Sequence, residues 1–253
     1  MEGKVQSVER ALIIMETLAK SQDGLTITEI SNKIDLHKST VHRLLGTLIK
    51  MGYVAQNKNS STYDITLKLF EMGYDKVQKA DVLALAKPYI KELMTISKET
   101  IHLVLREKAE IIYIDKVESK NTIRMYSSIG RRSPVYCTSV GKAMLAYLDG
   151  EEVREIWEMS DIQKLTEYTI TDYDQMLAEL EEIRTQGYAV DEQENELGIR
   201  CIGAPIFDHN EEVVAAISIS GPALRVTKER IKELGEAVKQ YSLYISRELG
   251  YPK

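Results

Sequence analysis

Cysteine is scarce in this chain of 253 residues: there are two, Cys137 and Cys201. Two cysteines do not build a disulfide framework, and they form no Cys-x-x-Cys pair. With His37, His42, His102 and His209 they make no metal-ligand motif, and His-Glu-x-x-His is absent. No metal and no cofactor is therefore expected. Long apolar runs are missing too: none approaches the ~18 residues of a membrane span. The opening MEGKVQSVERALIIM lacks the apolar core and cleavage site of a signal peptide, so a cytoplasmic protein is expected. Two nucleotide and hydrolase signatures fail. Around Gly141-Lys142, Tyr136 stands where a P-loop needs glycine and Ala143 where it needs Ser or Thr, and Gly-x-Ser-x-Gly does not occur. What remains is an ordinary globular composition, 43% hydrophobic and 28% charged, without repeats or low-complexity stretches.

Acids are absent from one long window. From Leu36 to Tyr63, 28 residues hold no Asp or Glu. The chain's average would place about four there. The same window carries Lys38, Arg43, Lys50 and Lys58. Net charge is correspondingly uneven: residues 1–66 hold 8 basic and 7 acidic side chains, residues 67–253 hold 25 and 32. A weakly basic head on an acidic body suits contact with a phosphate backbone at one end only.

The window sits inside Leu25–Val54, the most ordered pattern in the sequence. Thr26 reads as an N-cap, with Ile27, Ile30 and Ile34 at helical spacing. Asp35-Leu36 breaks the pattern. A second helix runs from about His37 to Met51 and stops at Gly52. Its buried face is Val41, Leu44, Leu45 and Leu48; the opposite face carries Ser39, Arg43, Gly46 and Lys50, flanked by Thr40 and His42. Two short helices with a tight turn and a small, polar, basic outer face make a helix-turn-helix able to enter a major groove. An ordinary amphipathic helix pair would show the same stripe; the missing acids favour DNA.

Before this motif, Ser7 is read as the cap of a helix to about Ser21, with Val8, Leu12, Met15 and Leu18 or Ala19 facing inward. After it, Tyr53–Gln56 and Thr62–Ile65 read as a hairpin whose turn carries Lys58, the wing of a winged helix. Residues 67–79 read as a connecting helix, giving a DNA-binding domain at 1–66, a linker at 67–80 and a second domain at 81–253. In that domain Pro88 kinks a helix or marks its start. A hairpin follows at Ile101–Arg106 and Ile111–Val117. Helices are expected from Thr138 to Leu148, at Glu151–Met159, between Asp172 and Gly187, and from Thr227 to Leu249. Strands are expected at Tyr188–Asp191, Ile199–Phe207 and Val213–Ser220. The fold class is α+β with an antiparallel sheet.

On that sheet Ser218 and Ser220 alternate with Ile217 and Ile219, so both hydroxyls share a face. Cys201 lies on the expected partner strand, Asp191 ends another, and Ser139-Val140 begin a helix whose first amides favour an anion. Together they can line a pocket for a carboxylate. Singly, Cys201 reads as a small core residue, Ser139 as a capping residue and Asp191 as a surface acid.

Combined, these stretches are more specific. Ser7–Leu12, Leu25–Ile30 and Lys38–Leu45 resemble the IclR family of bacterial transcriptional regulators. So do Thr100–Leu103, Gly130–Pro134, Cys137–Ala143, Asp191–Glu194, Gly198–Pro205 and Ala216–Pro222. The resemblance implies a winged helix-turn-helix domain, a linker helix and a GAF-like α/β effector domain. It also implies a dimer through the N-terminal domains, often paired into a tetramer, and a small organic acid as effector. Carried over by position, effector contacts fall on Ser139, Val140, Asp191, Cys201, Ser218 and Ser220, with Met125 and Ile199 as apolar walls. Many relatives have Ala or Gly where this chain has Ser139. Asp191–Asp208 further resembles the subgroup that regulates hexuronate-derived sugar acids such as 2-keto-3-deoxygluconate.

The expectation is a regulator, more readily a repressor than an activator. Ser39, Thr40, His42 and Arg43 would meet bases, and Thr28, Lys38, Lys50 and Lys58 phosphate. Its partners would be operator DNA, a small acid and a second copy of itself. The alternatives are an enzyme using Cys201 on a small acid, for which no His is placed to activate the thiol, and a metal bound near Asp191 and Cys201.

Overall fold

A computed structural model describes residues 5–57, 59–72, 82–119, 121 and 127–252. The chain divides into two compact units, residues 1–79 and 80–253.

The first unit holds α1 (Gln6–Ala19), α2 (Ile27–Ile34), α3 (Lys38–Lys50) and a two-stranded hairpin, β1 (Val54–Gln56) with β2 (Tyr63–Ile65). The Thr26 cap is a full capping box: its hydroxyl accepts from the Glu29 amide while Glu29 accepts from the Thr26 amide. The α2–α3 turn is tight because Asp35 takes a left-handed conformation, φ 50°. Ile14, Leu18, Ile30, Val41, Leu45 and Tyr63 close one core. Two expectations for α1 are corrected. Ser7 lies inside the helix, whose N-cap is Val5 without a side-chain bond. Val8 and Leu12 face outward, 56% and 49% exposed; the inner stripe is Ala11, Ile14, Met15 and Leu18. Choosing the stripe needed the positions of α2 and α3, since Val8 and Leu12 also repeat at helical spacing. Residues 68–72 are helical, and Lys58 lies outside the described residues.

The second unit is one six-stranded antiparallel sheet. Its strands are β3 (Thr100–Glu107), β4 (Glu110–Val117), β5 (Arg132–Pro134), β6 (Ala189–Glu192), β7 (Ile199–Phe207) and β8 (Val213–Pro222), in the order β5-β4-β3-β8-β7-β6. One face is covered by α4 (Val82–Ser97) and α8 (Ile231–Glu248), packed on Ile101, Leu103, Ile202, Ile206, Ile217 and Ile219. The other face meets α5 (Ser139–Leu145), α6 (Gly150–Met159) and α7 (Tyr173–Gln186) through Val104, Ile111, Ala189 and Ala216. Pro88 lies inside α4, so it does not mark the helix start. The α5 helix stops at Leu145, short of the expected Leu148, and Thr227 precedes a 3-10 turn (Lys228–Arg230) without making a side-chain cap. The short β5 edge strand, three residues long, carries no periodic signal by which a sequence could mark it.

Candidate functional site

The strand alternation places the site. Along β8 the isoleucines face the α4/α8 core, and Ser218 and Ser220 face the side that α5 covers. Register puts Asp191 opposite Cys201 and Cys201 opposite Ser220; Gly203 stands opposite Ser218, and Ser218 opposite His102. Polar residues on an antiparallel sheet usually face water. Here the row is buried: Asp191, Ser220 and His102 are 2% exposed and Ser218 3%. A sheet face that is both polar and covered makes a cavity. This one measures about 50 Å³ and is lined by Ser139, Val140, Asp191, Ile199, Cys201, Ser218 and Ser220. It also takes in His102, Tyr113, Ser127, Arg131, Ser133, Thr138, Asn195 and Glu196, none of which was singled out from the sequence as a pocket residue. The period-2 rule could have found His102, which alternates with Ile101 and Leu103 as the serines do. Met125 lies outside the described residues.

Glycine brings the amino end of α5 onto this row. A Cβ at Gly203 would stand 2.8 Å from the carbonyl carbon of Ser139 and from the Val140 nitrogen. Thr138 caps α5 by accepting from the Gly141 amide at 3.3 Å, and the first two residues of the helix, Ser139 and Val140, line the cavity.

The site's electrostatics follow from burial. Asp191 Oδ1 accepts from the amides of Glu194 at 2.7 Å and Asn195 at 3.4 Å. Burial, reinforced by the Glu194 charge, nevertheless pushes its carboxyl up to about 7; Lys142 and the two amides only moderate the rise. Asp191 is thus no surface acid. Glu194 is itself raised by burial, and its Oε2 has no partner among the described residues. Its other oxygen accepts from Lys142 Nζ at 2.5 Å, and Lys142 also donates to Glu179 at 2.8 Å. Burial opposes the Lys142 charge, and the two carboxylates outweigh it. Lys142 lies on α5 and Glu194 just past β6, so this pair ties the helix to the acid strand. His102 falls to about 3 through burial and the Lys116 charge, leaving a neutral ring. Burial pushes the Cys201 thiol up, away from a nucleophilic thiolate.

The other expected site lies on α3. Lys38, Ser39, His42, Arg43 and Lys50 are exposed and Thr40 is half-buried; Thr28 is exposed in the first turn of α2. His37, the α3 N-cap, makes no side-chain cap bond, and no acid occupies the first turn.

Both units match known families along their length. Residues 7–58 match the IclR helix-turn-helix domain, and residues 74–247 match the bacterial transcriptional regulator IclR C-terminal domain. The chain belongs to the IclR family. Within it, the chain is 41% identical to the HTH-type transcriptional regulator KdgR of Escherichia coli K12, over 98% of this chain and 94% of that protein. It is 36% identical to the HTH-type transcriptional repressor AllR of the same strain, over 97% and 90%. The crystal structure of the Thermotoga maritima IclR superposes with a TM-score of 0.84 at 35% identity, covering 98% of this chain and all of that one. The C-terminal domain of E. coli KdgR matches 68% of this chain with a TM-score of 0.62. As an IclR-family member the protein is a transcriptional regulator and not an enzyme. Among the described residues no helix is long and apolar enough to cross a membrane.

Proposed function

We propose that this IclR-family protein represses an operon for breakdown of a small 2-keto or sugar acid and releases its operator when that acid binds the second unit. The observation that carries the reading is the buried polar row under the amino end of α5. A carboxylate there meets the Ser139 and Val140 amides and the hydroxyls of Ser218 and Ser220, with Ile199 as an apolar wall. Asp191 meets a hydroxyl of the ligand, and Cys201 contributes shape. The relationship to the repressor AllR supports repression, and the resemblance of Asp191–Asp208 to the sugar-acid subgroup supports a sugar-acid or keto-acid ligand.

On the DNA side, Ser39, Thr40, His42 and Arg43 read base edges from α3, while Thr28, Lys38 and Lys50 hold phosphate. The uncapped α3 terminus offers amides to a phosphate as well. A second copy supplies the second half-site, about one helical turn away or a multiple of it. The outward Val8 and Leu12 border a groove with Met15, Leu44, Tyr53 and Met72, which suits self-association.

Coupling is a population shift. A ligand moves the protein off DNA only by binding the two states unequally. A cavity of about 50 Å³ has room for a few waters or a two-carbon acid. A six-carbon acid binds only if the walls part, and that displacement is the differential interaction required. The test is a thermal-shift and operator-release screen with glyoxylate, pyruvate and 2-keto-3-deoxygluconate, with Asp191→Asn alongside. One acid should raise the melting temperature and release operator DNA in the wild type only. Equal responses in wild type and Asp191→Asn would remove this cavity as the effector site.

A further inference from the structure

The polar row contains a hydrogen-bond chain whose direction is not fixed by its atoms. Ser218 Oγ lies 3.2 Å from Ser220 Oγ, which lies 3.2 Å from His102 Nδ1. His102 Nε2 lies 2.8 Å from Ser127 Oγ. Lys116 Nζ donates to the Ser127 carbonyl at 2.8 Å and holds that residue in place. Tyr113 packs edge-on against the imidazole, with 5.1 Å between ring centres.

A neutral imidazole has one N–H and one lone pair, so one ring nitrogen donates and the other accepts. Burial of His102 beside Lys116 keeps the ring neutral. That leaves two arrangements. If Nε2 carries the proton, it donates to Ser127, and Ser220 must donate to Nδ1. Ser218 then donates to Ser220 and turns only lone pairs to the cavity. If Nδ1 carries the proton, it donates to Ser220, Ser220 donates to Ser218, and Ser127 donates to Nε2. The Ser218 proton is then free to point at a ligand. Ser220 has one proton to give, and the nearby Cys201 thiol is a weaker acceptor than a hydroxyl.

A carboxylate accepts hydrogen bonds and cannot donate them. We propose that His102 is a specificity-determining residue of the effector pocket: a carboxylate effector binds the Nδ1–H tautomer, in which Ser218 offers its proton, and the opposite tautomer disfavours it. His102 acts through the serines and is a positioning residue. Carboxylate ligands are thereby chosen over analogues that can only donate at the same point, such as the corresponding amine in its ammonium form. This rests on the proposed carboxylate site between the α5 amides and the serine pair.

The test combines long-range 1H–15N spectra of the imidazoles with calorimetric titration of glyoxylate, pyruvate and 2-keto-3-deoxygluconate into the full-length protein. The chain has four histidines, so the His102 signals are identified by their loss in His102→Asn. With a bound acid, Nδ1 should become pyrrole-like and Nε2 pyridine-like. His102→Asn keeps a donor near the Nδ1 position and should hold affinity within about threefold. His102→Leu removes the donor and should weaken the acid about tenfold or more, the size expected for one hydrogen bond serving a charged group. An acid that binds the wild type while Nε2 keeps the proton, or that binds His102→Leu like wild type, overturns the role of His102 and leaves the pocket standing. If none of the acids binds the wild type, the carboxylate site falls and this inference with it. Should His102→Leu fail to fold, the ring spectra of the wild type and the His102→Asn affinity decide.

Discussion

Replacing Asp191 with Asn should make the second unit more stable at alkaline pH while removing its response to acids. Asp191 is 2% exposed, and its carboxyl is pushed up from 3.8 to about 7, first by burial and then by the Glu194 charge. A gap of about three pH units, at about 1.4 kcal/mol each, makes its ionised form cost about 4 kcal/mol in the folded state. The sign follows from proton linkage. Between the two values the folded protein binds more protons than the unfolded chain, so stability falls as pH rises and the loss is complete above about 7. Of the total, about 2.5 kcal/mol falls between pH 5 and pH 8. Asn keeps an oxygen for the Glu194 and Asn195 amides and carries no charge. Its own burial reduces the gain to about 1–3 kcal/mol at pH 8. The single tryptophan, Trp157, packs in the second core beside Tyr136 and Tyr173, so its fluorescence follows unfolding of that unit alone. Urea titrations at pH 5, 6.5 and 8 should show the advantage of Asp191→Asn over the wild type growing by about 2.5 kcal/mol from pH 5 to pH 8; the comparison cancels the opposite trend from His102, whose buried neutral ring favours the folded state as pH rises through the ordinary imidazole range. A variant that is less stable than wild type at pH 8 and keeps the same pH slope would refute the assignment of a buried, charge-strained carboxyl.

Three further outcomes are expected. Lys142→Met leaves Glu194 and Glu179 without their cation and should destabilise the second unit by about 3–5 kcal/mol, read by the same titration; adding Glu194→Gln should restore part of it. Gly203→Ala places a methyl 2.8 Å from the backbone of Ser139 and Val140. It should cost about 1–3 kcal/mol and abolish acid-driven operator release, measured by fluorescence anisotropy. Lys50→Ala should weaken binding to all DNA and lower the salt slope by about 1, whereas Arg43→Ala should cost about 1–3 kcal/mol on the operator and relax its sequence preference.

Much of this molecule follows from local pattern. The Thr26 N-cap, the apolar stripe of α3, the Ile199–Phe207 strand and the Asp172 and Gly187 ends of α7 are short-range features, and the structure has each where periodicity and capping chemistry put it. The alternation in Ile217-Ser218-Ile219-Ser220 likewise set the two hydroxyls on one face. The tertiary structure decided what that face meets. Alternation is equally compatible with solvent; α5, brought close by Gly203, closes over the row and turns polar residues into a cavity. Burial then changes their chemistry, raising Asp191, Glu194 and Cys201 and leaving His102 neutral, and no sequence separation encodes that. The same holds for Lys142: its place in a rejected nucleotide motif says nothing of Glu194, 52 positions away, which pairs with it in the core. Outward Val8 and Leu12 repeat the lesson on a helix, since spacing offers several stripes and only the neighbours choose among them. Local sequence determines which elements form and which side chains share a face; long-range packing determines which faces lose water, and pKa, cavity and site depend on that loss.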